Sequence, residues 1–168
     1  QLSLLAAAWT VGSLKYLSEA GADSVTYFET TGWCGLLEKD TGSPQLALFP
    51  SRPGEPFPLY HVFADAAELR GSLLRVESSE PLSAVAIAVK GNGIVRALIA
   101  NLGPDPVEVE LSPLPTGSRR IRRLNEDSAA LAAEYPSHFR GQWREVAVAG
   151  GTLTLRLEPY EVSRLEAA

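Results

Sequence analysis

The segment from Ala22 to Gly35, ADSVTYFETTGWCG, places a carboxylate, two threonine hydroxyls and an indole close together. Its first part, Val25 to Phe28, is rich in β-branched and aromatic residues and predicts a strand. Because side chains alternate along a strand, Tyr27 and Glu29 are expected on one face. A carboxylate at a strand end can accept hydrogen bonds from a hydroxyl, or act as a general base for water attacking a carbonyl carbon. Alternatively, Glu29 binds only Thr31 or a backbone amide.

Trp33 follows Glu29 on the predicted loop. An indole can lie flat on the apolar face of a sugar ring, and its N–H can donate a hydrogen bond. Gly32 would allow a positive φ in the turn that separates Thr31 from Trp33. We therefore predict a catalytic role for Glu29 and substrate contacts for Tyr27, Thr31 and Trp33. Alternatively, Trp33 covers the core and contacts no ligand.

The other reactive side chains form no recognisable site. His61 has Asp65 four residues later but no second histidine at ligand spacing, so a histidine packed beneath a neighbouring domain is favoured over a proton shuttle or metal ligand. Cys34 has no nearby histidine to activate its thiol. The sequence contains no Gly-x-Ser-x-Gly elbow and no glycine-rich phosphate loop before a helix. We predict no metal and no cofactor.

The charge balance argues against a nucleic-acid partner, because the net charge is −5 and basic residues cluster in one place only. That cluster occupies a predicted strand, where its side chains alternate faces, and we interpret it as a solvated edge strand. Its members are Arg119, Arg120, Arg122 and Arg123.

Apolar runs in the chain are shorter than the roughly 20 residues that a membrane-spanning helix needs, so no membrane partner is expected. The single cysteine, Cys34, cannot form an internal disulfide. It favours a reducing compartment, and we predict a cytoplasmic protein.

The first part of the chain has the pattern of a βα unit from a parallel α/β protein. Leu2 to Glu19 predicts a helix that Gly21 ends, and Val25 to Phe28 predicts a strand. A polar loop, Thr30 to Pro58, leads to a second helix that begins at Leu59 and ends before Gly71. The first helix shows no obvious N-cap, and the chain contains no methionine. We interpret the chain as a C-terminal fragment.

After Gly71 the pattern changes to short alternating segments separated by turns, which is typical of an antiparallel sandwich with each sheet solvated on one side. The Asn-Gly pair within Lys90 to Gly93 is a strong hairpin signal. One helical insertion, about Asp127 to Glu134, is predicted. The predicted strands are Leu73 to Glu77, Ala84 to Val89, Ile94 to Ala100, Val107 to Leu111, Arg119 to Leu124, Arg144 to Val148, Leu153 to Leu157 and Val162 to Leu165.

The predicted fold class is mainly β, with a C-terminal antiparallel β-sandwich preceded by the last βα unit of a truncated (β/α)8 barrel. A closed barrel needs eight βα units, and residues 1–70 supply only one strand with two helices. Residues 71–168 form the predicted sandwich domain.

Three phrases resemble the D-apionate lactonase family: AAWTVGSLKYLSEAGADSVTYFETTGWCGL, FPLYHVFADAAEL and RRLNEDSAALAAEYPSHFRG. RALIANLGPDPVEVEL and LEPYEVSRLE are similar to the sandwich of the wider clan of (β/α)8 glycosidases. The resemblance implies a barrel with an appended sandwich and the opening of a sugar-acid lactone. It also implies that the predicted strand is the eighth of the barrel. The clan carboxylates of strands four and seven would then lie upstream of Gln1.

The best prediction is the C-terminal part of a sugar-acid lactonase in which the sandwich buttresses the barrel. The expected partners are the upstream barrel portion and a small sugar or sugar-acid lactone, and the isolated fragment is expected to be inactive and to self-associate. One alternative is a fragment of a retaining glycoside hydrolase. Another is a non-catalytic carbohydrate-binding or structural sandwich, whose available aromatic side chains are Tyr135, Phe139, Trp143 and Tyr160.

Overall fold

The computed structural model describes residues 1–168 and contains four helices and ten strands. The helices are α1 (Leu4–Glu19), α2 (Pro58–Glu68), α3 (Glu126–Glu134) and α4 (Pro136–Arg140). The strands are β1 (Glu29–Thr31), β2 (Gly35–Leu37), β3 (Ser72–Leu74), β4 (Ala84–Gly91), β5 (Ile94–Asn101), β6 (Val107–Leu111), β7 (Gly117–Leu124), β8 (Arg144–Val148), β9 (Leu153–Leu157) and β10 (Val162–Ala167).

The strands form three sheets. A six-stranded antiparallel sheet has the order β3-β4-β5-β10-β7-β8, and β6 pairs with β9 in a second antiparallel sheet. The short strands β1 and β2 pair in parallel. The fold is therefore a portion of a parallel barrel followed by an antiparallel sandwich, as predicted. No helix has both the length and the apolar character that crossing a bilayer requires.

Helix α1 has defined caps at both ends. The Ser3 hydroxyl accepts a hydrogen bond from the Ala6 amide at 3.2 Å, so the prediction that this helix lacks an N-cap was wrong. At the other end Gly21 has φ +83°, and the amides of Gly21 and Ala22 bond to carbonyls of the last turn. This is the glycine-terminated helix end that the sequence predicted.

The six-stranded sheet is covered on both faces, which corrects the prediction that each sheet is solvated on one side. One face packs on α1, where Ala7, Ala8 and Val11 are fully buried against Val85 and Leu98. The small side chains let the helix approach the sheet closely. The large side chains of α1, by contrast, include several that are exposed: Leu5, Trp9, Tyr16 and Leu17.

The opposite face of this sheet packs on β6 and β9. Ala86, Ala88 and Ile99 face this second core, together with Leu153 and Leu157 of β9. Strand β6 alternates half-buried valine or leucine with exposed glutamate, because only one of its faces meets the core. The sandwich is therefore asymmetric, with a two-stranded sheet opposing a six-stranded one.

Strand β7 is an interior strand, between β10 and β8, so the interpretation of the arginine cluster as a solvated edge strand was wrong. Arg122 is only 3% exposed and pairs with Asp65 of α2. Arg120 and Arg123 pair with Glu166 and Glu161. The buried charge of Arg122 is tolerated because the guanidinium group has a carboxylate partner, whereas Arg120 and Arg123 remain partly exposed.

Helix α2 is joined to the sandwich by a group of charged side chains that we call the Asp65 cluster: Asp65, Glu68, Arg122, Arg140 and Arg164. Oδ1 of Asp65 forms ion pairs with the guanidinium groups of Arg122, of Arg140 at 2.9 Å and of Arg164 at 3.0 Å. These three arginines come from β7, α4 and β10 respectively. One buried carboxylate thus ties the last helix of the barrel portion to three elements of the sandwich.

His61 of α2 is also buried at this contact, as the sequence favoured. Its Nε2–H donates to the Ala132 carbonyl of α3 at 3.1 Å, and its ring packs edge-on against Phe139 with centroids 4.7 Å apart. Burial lowers its pKa from 6.5 to about 4, although the bond to Ala132 acts in the opposite direction. His61 is therefore neutral in the folded protein at pH 7.

We expect the His61 contribution to stability to be lost on acidification. Its pKa is lower in the folded than in the unfolded chain, so the contribution is complete above about pH 6.5 and falls away towards about pH 4. Between those limits the free energy of unfolding should drop by about 3 kcal/mol through this group. Urea unfolding at pH 7, 5.5 and 4 should show the advantage of the unaltered protein over His61→Gln shrinking accordingly. His138→Gln, at the exposed histidine, is the control. A pH-independent difference would contradict the expectation.

Candidate functional site

A cleft of about 320 Å³ lies beside the parallel pair β1–β2. Its lining includes three of the four residues that the sequence predicted for the site, Glu29, Thr31 and Trp33. The remaining lining residues are Gly32, Cys34, Glu38, Lys39 and Pro44. The cleft therefore combines two carboxylates, an ammonium group, a hydroxyl and an indole.

The turn between β1 and β2 brings these side chains together. Gly32 has φ +87°, which favours glycine, and its amide donates to the Leu37 carbonyl at 2.7 Å. The Glu29 amide donates to the Cys34 carbonyl at 2.8 Å. A Cβ at Gly35 would lie 2.6 Å from the carbonyl carbon of Thr31, so the chain can close this tightly only with glycine there.

The predicted strand Val25 to Phe28 forms no ladder, and pairing begins instead at Glu29. Tyr27 and Phe28 both pack on Phe63 of α2, with ring centroids 5.1 and 6.0 Å away. The Tyr27 hydroxyl lies 2.8 Å from Ser13 Oγ of α1. Tyr27 therefore faces the helices and does not line the cleft, and its substrate contact stays a prediction. Its aromatic ring is used to cover α2.

Glu29 and Thr31 are both exposed at the cleft. No group of the chain donates a hydrogen bond to the Glu29 carboxylate. The structure therefore does not show the alternative, in which Glu29 binds only Thr31 or a backbone amide. This carboxylate is free to accept hydrogen bonds from a molecule in the cleft.

Trp33 is 41% exposed and is held from one side by the following loop. Its Nε1–H donates to Ser43 Oγ at 3.3 Å, and its ring centroid lies 6.1 Å from that of Phe49. The indole is thus fixed in orientation while a large part of its surface remains accessible. Such a surface can pack on the C–H face of a sugar.

Glu38 is a cleft residue that the sequence analysis missed. It follows β2 directly and is only 2% exposed. Its Oε1 accepts from the Lys39 amide at 2.7 Å, and its Oε2 accepts from the Ser51 hydroxyl. The available signal was a charged residue immediately after the apolar segment Gly35 to Leu37, at the position where a parallel strand ends.

The aromatic side chains of the sandwich do not form an exposed binding platform. Phe139 is buried, and Trp143 is surrounded by the guanidinium groups of Arg120, Arg122 and Arg164 at 4.5 to 5.4 Å from its ring. Tyr135 is exposed, but it stands at the junction of α3 and α4. These positions do not favour the alternative of a carbohydrate-binding sandwich.

Two family models together match most of the chain. Residues 1–71 match the model described as D-apionate lactonase, TIM barrel domain. Residues 81–165 match the model described as D-apionate lactonase, C-terminal immunoglobulin-like domain. A search of curated proteins found no match.

Three solved structures to which this chain is similar are described as glycoside hydrolases. The family 30 subfamily 8 xylanase of Clostridium acetobutylicum is 13% identical and has a TM-score of 0.68, with 100% of this chain and 40% of that chain covered. The GH39 β-xylosidase of Caulobacter crescentus is 15% identical and has a TM-score of 0.60, with 99% and 40% covered. The GH39 enzyme of Xanthomonas axonopodis pv. citri is 16% identical and has a TM-score of 0.57, with 98% and 40% covered.

At these identities the structures show a shared fold, and the chain spans 40% of the length of each of them. The family matches are more specific than the shared fold, because one model covers the barrel portion and the other covers the sandwich. The chain belongs to the D-apionate lactonase family.

Proposed function

We propose that this chain is the C-terminal portion of a sugar-acid lactonase that hydrolyses the lactone of D-apionate or a close relative. The observation that carries the proposal is the family match across both parts of the chain. The cleft supports it, because Glu29, Trp33 and Lys39 offer groups that suit a polar ring with an ester carbonyl.

In the proposed reaction, Trp33 packs on the C–H face of the lactone ring and Glu29 accepts hydrogen bonds from its hydroxyls or from the attacking water. Water adds to the carbonyl carbon, the ring C–O bond breaks, and a proton passes to the released alkoxide. The product is an open hydroxy acid. The Lys39 ammonium group can balance the negative charge that develops on the carbonyl oxygen. The principal acid and base are proposed to lie on other strands of the barrel.

The sandwich is proposed to act as a buttress for the barrel. Its six-stranded sheet packs on α1, and the Asp65 cluster fixes α2 to it. The exposed side chains of α1, among them Leu5 and Trp9, are available to contact the remaining barrel elements. The isolated chain is accordingly proposed to be inactive and to self-associate through this surface. A cytoplasmic location stays a prediction.

The test compares this chain with a longer form that carries the complete barrel. Consumption of the lactone of D-apionate should be detected for the longer form and not for the isolated chain. A nitrophenyl β-xyloside should be left intact by both. Hydrolysis of the xyloside without lactone hydrolysis would overturn the proposal in favour of a retaining glycoside hydrolase. Full lactonase activity of the isolated chain would overturn the proposed role of the missing strands.

A further inference from the structure

Residues 38–57 form a folded loop whose two sides are held together close to β2. The Glu38 amide donates to the Glu55 carbonyl at 2.8 Å, and the Gly54 amide donates to the Lys39 carbonyl at 3.2 Å. The Phe57 amide donates to the Leu36 carbonyl at 2.9 Å. The loop therefore leaves β2 and returns beside it before α2 begins.

Within this loop the Glu38 carboxylate connects two segments. It accepts from the adjacent Lys39 amide at 2.7 Å and from the hydroxyl of Ser51, thirteen residues further along the chain. Glu38 and Ser51 are both buried, at 2% and 6% exposure. Because its partners are an amide and a hydroxyl, the carboxylate depends on both donors to offset the cost of its burial.

The part of the loop that this pair encloses carries the contacts of Trp33. Ser43 accepts from the indole N–H at 3.3 Å, and the ring of Phe49 packs near the indole. Phe49 in turn packs edge-on against Phe57, with centroids 5.5 Å apart. The orientation of Trp33 thus depends on where the enclosed part of the loop lies.

We propose that Glu38 is a positioning residue, which through Ser51 holds the Ser43 and Phe49 wall against Trp33 and so preforms the surface that binds the lactone ring. The proposal rests on the proposed function for the identity of the ligand. The placement of Trp33 itself is independent of that function. A surface fixed before the ligand arrives lowers the entropic cost of binding.

The variants Glu38→Ala and Ser51→Ala test the pair. Glu38→Ala removes both acceptor oxygens, so the Lys39 amide and the Ser51 hydroxyl lose their shared partner. Ser51→Ala removes one donor and leaves the carboxylate in place. Ser51→Thr keeps the hydroxyl and is the matched control, which should behave as the unaltered protein in both readouts below. The double variant should be no worse than the more affected single variant.

The first readout is fluorine NMR of the chain labelled with fluorotryptophan, which gives one resonance for each of its three tryptophans. Glu38→Ala and Ser51→Ala should shift or broaden the Trp33 resonance and leave that of Trp143, in the sandwich, unchanged. Trp33→Phe assigns the resonance. An unchanged Trp33 resonance in both variants would overturn the proposal. A change in all three resonances would show general loss of structure and would also overturn it.

The second readout is lactone hydrolysis by the form with the complete barrel. The KM should rise about fivefold in both variants while kcat stays within about twofold, because a lost binding surface affects ground state and transition state alike. A fall in kcat at constant KM would place Glu38 in the chemical step and overturn the positioning role. If no form hydrolyses the lactone, the proposed function fails, and the Trp33 resonance alone decides the role of Glu38.

Discussion

Asp65→Ala is expected to lower the free energy of unfolding by about 3–5 kcal/mol, the cost of removing one partner from a buried ion pair. Asp65 is 5% exposed, and its carboxylate is shared by Arg122, Arg140 and Arg164. Without it, Arg122 loses the only carboxylate it pairs with, and it is itself buried. Chemical denaturation followed by circular dichroism measures the effect.

Asp105→Ala is the matched control for Asp65→Ala, because Asp105 is exposed and should lose less than about 0.5 kcal/mol on truncation. The combined variant Asp65→Ala with Arg122→Met should be more stable than Asp65→Ala alone, since it removes one of the cations left without a partner. A loss below about 1 kcal/mol for Asp65→Ala would mean that Glu68 and Glu166 hold the arginines without it.

Glu29→Gln is expected to reduce kcat/KM for the sugar lactone by about tenfold or more in the form with the complete barrel. The carboxylate is exposed in the cleft and has no partner within the chain, so its removal should act on the ligand rather than on stability. Steady-state kinetics and thermal unfolding measure the two effects separately.

Glu108→Gln, at an exposed position of β6, makes the same chemical change away from the cleft and should leave kcat/KM unchanged. Full activity of Glu29→Gln would remove Glu29 from the site. A drop in activity that is matched by a drop in melting temperature would assign it a structural role instead.

Much of the sandwich could be predicted because its strands alternate and its turns have distinct chemistry. The structure gives β6, β8 and β9 the predicted bounds, and the hairpin between β4 and β5 turns at Asn92 and Gly93, both with positive φ. The local sequence pattern is sufficient to place these strands, because turn residues mark both ends of each one.

The errors concern residues whose environment is set by distant parts of the chain. The arginine residues of β7 give the same sequence pattern whether they are solvated or paired. Asp65, the partner of Arg122, lies 57 residues earlier in the chain. Strand alternation placed Tyr27 beside Glu29, but the strand starts only at Glu29, so alternation does not determine the side on which Tyr27 lies. Glu38 depends on Ser51 across a loop whose path the sequence does not specify.

Because the six-stranded sheet is packed on both faces, neighbouring residues of one strand must fit two different cores. In β4, Val85 and Ile87 face the core shared with α1, whereas Ala86 and Ala88 face the core shared with β9. Odd and even positions of β4 therefore have different packing partners, one set on the barrel side and the other on the sandwich side. An exchange of the C-terminal domain between relatives would have to carry α1 with it, so recombination should preserve the two parts as one inherited unit.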